Sequence, residues 1–125
     1  MHYELTIVEK PGYLHAIVTG RNSPENVAGY LQAAMQECLS RGCRRLLIEE
    51  NLSGRRLETW DVFEIASRGS GRFASQLDAV AYVDLNAHGE LMKFAETVAV
   101  NRGLPLSVFA TVEEAERWLA PLAAP

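Results

Sequence analysis

Three consecutive apolar residues, Leu46-Leu47-Ile48, constrain this chain more than any other feature. A strand with one face in water alternates apolar and polar side chains; this run does not, so it predicts a strand covered on both sides, as in sheets that carry helices. The stretch from Arg44 to Ala66 reads as that buried strand, then a polar loop holding Ser53-Gly54, then a helix beginning near Thr59. It gathers acids, arginines and hydroxyls at the carboxyl end of a central strand, where open α/β sheets carry their working groups.

The rest of the chain supplies the partners that such a strand needs. Residues 2–9 alternate with a period of two, Lys10-Pro11-Gly12 makes a turn, and residues 13–19 return as the second strand of an antiparallel hairpin. That second strand is apolar on both faces (Leu14, Ala16, Ile17, Val18), which predicts an interior place in the sheet. Ser23-Pro24-Glu25 is a helix start, with a capping hydroxyl, a proline at the first helical position and an acid at the positive end of the dipole. Val27, Tyr30, Leu31, Ala34, Met35, Cys38 and Leu39 then form a helical stripe that Gly42 ends.

The helix after the polar loop has a weaker stripe (Trp60, Phe63, Ile65, Ala66) and is expected to fray into Ser67–Arg72, where two serines and two glycines predict a bend or a mobile segment. Leu77–Val83 reads as a fourth strand. A loop runs through Asp84, His88 and Gly89 into a helix over Glu90–Arg102, with Gly103 as its cap. Leu106, Val108 and Phe109 make a last strand, and Thr111 caps a final helix with Val112, Ala115, Trp118 and Leu119 inward. The order is β-β-α-β-α-β-α-β-α. It predicts an α/β domain: a single-layer mixed, mostly parallel five-stranded sheet with four helices and an antiparallel hairpin strand at its edge.

At 125 residues the chain is one domain, residues 1–125, large enough to bury a core of its own. Its net charge of −4 is spread without acidic or basic blocks, so nucleic acid is not an expected partner. The amino terminus lacks a basic region followed by an apolar run, and no stretch is long and apolar enough for a membrane span, so a cytoplasmic location is expected. Cys38 lies on the first helix's stripe and Cys43 at the start of a strand, with no histidine at a ligand-like spacing; both read as reduced and structural. His2, His15 and His88 fall in three different elements, which predicts no metal site, and no cofactor motif is present.

Several segments resemble a known family. Phe94 to Leu119, FAETVAVNRGLPLSVFATVEEAERWL, is similar to the closing helix, Gly-Leu bend, short strand and T-x-E-E-A helix of STAS domains, the anti-sigma-factor antagonist fold. Leu47–Asn51, Leu52-Ser53-Gly54 and Leu57-Glu58-Thr59 resemble the family's central strand, loop and switch-helix start. The spacing of LIEENLSG, AYVD and KFAETVAVNRG is similar to the stand-alone bacterial branch called SpoIIAA-like, or STAS/SEC14-like, domains. In antagonists of the family, the resemblance implies a phosphorylatable residue at the amino end of the second helix. Here that position is Thr59, with Glu58 where an aspartate usually stands; read from the residues alone, Thr59 is a helix cap.

Chemistry is sparse. Glu49 and Glu50 fall on opposite faces of their strand, so they cannot work as one acid–base pair; one of them is expected to pair with Arg44, Arg55 or Arg56. Ser53-Gly54 lacks a nucleophile elbow. Asp84, Asn86, His88 and Glu90, with Asn101-Arg102, form the one candidate polar site. An enzyme would require Glu49 or Glu50 to share a cleft with Asp84 and His88. The expected function is therefore non-enzymatic: a regulatory interaction module that binds a protein partner or itself as a homodimer, through Ser53, Glu58, Thr59, Trp60 and Phe63. The alternative is a carrier or sensor of a small apolar or lipid-like ligand, with the Ser67–Arg72 segment as a lid over a pocket lined by Phe63, Phe73, Met92 and Phe94.

Overall fold

A computed structural model describes residues 3–54, 56–84 and 89–123. Strands β1 (Tyr3–Lys10) and β2 (Tyr13–Arg21) form the hairpin, and Gly12 takes the positive φ, 86°, that the turn requires. Helix α1 (Pro24–Ser40) starts where the sequence places it: the Ser23 hydroxyl accepts the Asn26 N–H at 3.1 Å, with Pro24 as the first helical residue. Strand β3 (Arg45–Ser53), helix α2 (Thr59–Phe73), strand β4 (Ala79–Val83), helix α3 (Glu90–Asn101), strand β5 (Leu106–Phe109) and helix α4 (Val112–Ala123) follow. At α4, Thr111 Oγ1 accepts the Glu114 N–H at 3.2 Å, as a capping threonine should.

The five strands lie in the order β1-β2-β3-β4-β5. The sheet is mixed: β1 runs antiparallel to β2, and the other three pairings are parallel. "Mostly parallel" understates the hairpin, whose eight paired positions make it as long as any pairing in the sheet.

Each strand sends alternate side chains to two unequal faces. On one face, Leu14, Ala16 and Val18 of β2, Leu46 and Ile48 of β3, and Val80 and Tyr82 of β4 join Tyr30, Ala34, Met35 and Cys38 of α1 in the larger core. On the other, Leu47 with Ala79, Ala81 and Val83 packs under Ala115 and Leu119 of α4. Leu46, Leu47 and Ile48 are all fully buried, the outcome that their lack of alternation predicts.

Two local expectations need correction. Ser67–Arg72 is neither a bend nor a break: α2 is continuous through Phe73. Glycine in a helix costs only about 1 kcal/mol, and here Ser70 and Phe73 on the inner side of the last turns are buried, which holds the segment helical. Ser53 does not lie in a loop; it is the last residue of β3, its hydroxyl donating to the Gly20 carbonyl at 3.2 Å.

Helix α2 sets up the site. Its main neighbours are α3 and α1, not the strands. A helix carried on two others stands off the sheet, and side chains from below do not fill all of the space beneath it.

A candidate ligand chamber beneath helix α2

That space is a cavity of about 560 Å³, partly open to solvent. Its walls are apolar: Val27, Leu31 and Met35 from α1, Ile65 and Phe73 from α2, and Met92 from α3, with Leu106 and Val108 of β5 on the floor. The volume falls in the range of small-molecule sites, which are typically concave, apolar and marked by a few convergent polar groups.

Polar side chains of α1 and α2 also line it, and strand parity brings one cluster of polar groups together on the sheet. Leu46, Ile48 and Glu50 share one face of β3, and Val80, Tyr82 and Asp84 share the same face of the neighbouring strand. Glu49 and Val83 are paired in register, so Glu50 and Asp84, one residue beyond each, lie side by side where the pairing of the two parallel strands ends. Tyr82 Oη donates to Glu50 Oε2 at 3.0 Å, and the Tyr30 and Tyr82 hydroxyls are hydrogen-bonded to each other. Arg56 Nη2 donates to Asp84 Oδ2 at 3.2 Å; Asp84 is 4% exposed.

The electrostatics follow from this packing. Burial pushes the Glu50 carboxyl up to about 7; the Asp84 charge adds to the rise, while the Tyr82 hydrogen bond and the Arg56 charge oppose it. Glu50 therefore exchanges its proton near neutral pH. Both tyrosines are raised well above their ordinary value, chiefly by burial, and stay protonated donors.

The remaining sequence-derived site residues scatter around this chamber. Phe73 and Met92 line it as expected. Phe63 and Phe94 are not among its lining residues; they form an outer stack, with Trp60 6.0 Å from Phe63 and Phe63 6.2 Å from Phe94, centroid to centroid. The Arg102 guanidinium lies 5.8 Å from the Phe63 ring centre, its Nε donating to Ser67 Oγ at 2.6 Å. Trp60 is 67% exposed.

Thr59 is not a cap. Glu58 occupies the cap position without a side-chain cap hydrogen bond, and Thr59 is the first, exposed helical residue. The helix starts one residue earlier than a capping threonine would have it.

Glu49 and Glu50 do point to opposite faces. Glu49 Oε1 lies 2.9 Å from His15 Nε2 on the α4 side, so it takes neither Arg44, which pairs with Asp78 at 3.1 Å, nor Arg56. Glu50 shares the cleft with Asp84. His88, the third member of the arrangement that would argue for an enzyme, lies outside the described residues, as do His2, Arg55 and Asn86. Glu90 and Asn101 are the first and last residues of α3, so they sit a helix length apart and do not converge.

Among the described residues, no group of three or more His, Cys, Asp or Glu could hold a metal ion, and no helix is long and apolar enough to cross a membrane. Cys38 and Cys43 are free thiols.

Sequence reasoning passed over Tyr30 and Tyr82 as site residues. The signal was parity: Tyr82 and Asp84 are two residues apart at the end of one predicted strand, and Glu50 stands at the same height on the next. No protein-family model and no curated protein matches the chain.

Proposed function

We propose that this chain is a non-enzymatic binding domain for a small, largely apolar ligand, which occupies the chamber beneath α2 with any polar group directed at Glu50 and Tyr82. The observation that carries this reading is the cavity of about 560 Å³, lined largely by apolar side chains and carrying a hydrogen-bonded polar cluster among its lining residues. A core that existed only for stability would be packed to crystal-like density and would not hold a buried and a half-buried carboxyl, Asp84 and Glu50, beside an opening. The SEC14-like side of the family resemblance points the same way.

The test is native mass spectrometry of protein purified from a heterologous host, paired with a titration by Nile red, a neutral solvatochromic dye. Retained extra mass or saturable dye binding supports the reading; a clean apo mass together with no dye binding overturns it.

A second reading, a STAS-like regulatory interaction module that pairs with a protein partner or with itself, is favoured by the Trp60-Phe63-Phe94 stack, in which Trp60 and Phe94 are exposed. Large aromatic side chains left in water are common interface anchors. Comparing Trp60→Ala with wild type by analytical ultracentrifugation across protein concentration tests the self-pairing form: a concentration-dependent dimer lost in the variant supports it, and a wild type that stays monomeric overturns it. Phosphorylation of Thr59 belongs to this reading alone, since Thr59 is exposed and does not line the chamber.

A further inference from the structure

The chain's two cysteines meet at the carboxyl end of α1, and the way that helix ends brings them there. Gly42 takes a positive φ of 75°, its N–H donates to the Leu39 carbonyl at 3.0 Å, and the Cys43 N–H donates to the Cys38 carbonyl at 3.0 Å. Such a pair of bonds marks a helix end in which the residue after the glycine folds back onto the residue five places before it, often with the two side chains in contact. Here both of those positions are cysteine.

The contact is made by sulfur. Cys38 Sγ lies 3.5 Å from the Cys43 and the Arg45 carbonyl oxygens, Cys43 Sγ lies 3.1 Å from the same Arg45 oxygen, and the two thiols are hydrogen-bonded to each other. They differ in access. Cys38 is fully buried on the inner side of α1, whereas Cys43 is partly exposed and lines a surface hollow with Lys10, Arg41 and Gly42. One sulfur is open to a reagent and the other lies behind it, an arrangement that suits oxidation by two successive exchanges.

We propose that Cys38 and Cys43 form a redox-sensitive latch, a dithiol that closes to a disulfide by exchange with a low-molecular-weight disulfide such as glutathione disulfide. The Cys43 thiol gives up its proton, and its sulfur attacks one sulfur of glutathione disulfide and releases the first glutathione as its thiolate. The Cys38 thiol then gives up its proton, its sulfur attacks Cys43 Sγ in the mixed disulfide, and the second glutathione leaves. Two protein thiols are oxidised, one glutathione disulfide is reduced to two glutathiones, and the two protons pass to these. Burial disfavours the Cys38 thiolate, so the second exchange is the slow one. The new bond joins the last turn of α1 to the segment that enters β3, two places the backbone bond between the same residues already holds together. It does not depend on the chamber or its ligand.

The experiment equilibrates the full chain at pH 8 with glutathione disulfide against a fixed concentration of reduced glutathione, in buffer and in urea, then blocks free thiols with iodoacetamide in urea and reads the intact mass. The expected product in buffer is about 2 Da lighter than the reduced chain and takes up no alkyl group. Because the fold already holds the two residues together, half-oxidation is expected to need about tenfold less glutathione disulfide in buffer than in urea. A product in buffer that stops at the glutathione adduct, or that still carries two free thiols, overturns the latch. So does a requirement for glutathione disulfide in buffer that is no lower than in urea, since the fold would then resist closure. Cys38→Ser is expected to keep a glutathione adduct on Cys43, and a variant that takes none overturns Cys43 as the attacking thiol. The wild-type masses decide the matter even if that variant fails to fold.

Discussion

Tyr82 donates its hydroxyl hydrogen to Glu50 at 3.0 Å while its ring stays in the main core, so one side chain belongs both to the hydrophobic packing and to the polar end of the chamber. The arrangement ties a titrating carboxyl to the stability of the fold, and the pH behaviour of the protein follows from it.

Glu50 has a folded-state value of about 7, above the 4.5 of an ordinary glutamate. The folded state therefore holds this proton more tightly than the unfolded chain does. Its contribution to stability is complete below pH 4.5 and is lost as the pH rises through 7. From this group alone, the protein is expected to be about 2–3 kcal/mol less stable at pH 8 than at pH 5. Glu50→Gln keeps the shape and removes the titration, so its urea midpoint is expected to lie above wild type at pH 8 and near it at pH 5. Parallel wild-type and variant midpoints across that range would contradict the assignment.

Removing hydroxyls should separate the two tyrosines. Tyr82→Phe takes the donor from Glu50 and leaves the Tyr30 hydroxyl, which is fully buried, without its partner. A stranded buried polar group costs about 1–3 kcal/mol. Tyr30→Phe leaves Tyr82 its bond to Glu50 and should cost less. The double variant should cost less than the sum of the two, since the second change removes the group that the first one strands. Equilibrium urea unfolding of the four proteins measures all three terms.

The two cysteines should differ in reactivity. Cys38 is fully buried and its thiol is pushed up to about 12, first by burial and then by the neighbouring Cys43; its Sγ lies 3.5 Å from the Cys43 and Arg45 carbonyls. The reactive species is the thiolate, so Cys38 is expected to resist native alkylation at pH 8 while the partly exposed Cys43 reacts. Intact-mass analysis after iodoacetamide should show one adduct under native conditions and two in urea.

How much of this was readable in advance depends on distance along the chain. The caps at Ser23 and Thr111 were legible because a side chain three residues away decides them. Leu46-Leu47-Ile48 was legible as a doubly covered strand because burial on both faces leaves a pattern in one short run. The continuity of α2 was not: Gly69 and Gly71 argue locally for a break, and what overrides them is packing on α3, whose residues lie some twenty positions further on. The chamber was half legible. Phe73 and Met92 were placed in it, but Phe63 and Phe94 share the same helical stripes and face outward, because a stripe gives a helix's apolar side and not what lies opposite it. The Glu50–Tyr82–Asp84 cluster needs the register between β3 and β4, a relation that neither strand states by itself.

The chamber also makes a prediction about packing. Ala66 lies on α2 and lines the cavity. In a filled core, adding methylenes there would cost about 1–3 kcal/mol of overpacking. Above open space, the leucine side chain of Ala66→Leu can turn inward and bury its added carbons, at about 0.8 kcal/mol for each. The variant is therefore expected to gain about 1–2 kcal/mol by urea unfolding and to lose Nile red binding, since the space the dye needs is occupied. The two readouts must move in opposite directions. A destabilised variant would mean that α2 sits tightly over the sheet, and a stabilised one that still binds the dye would place the ligand elsewhere.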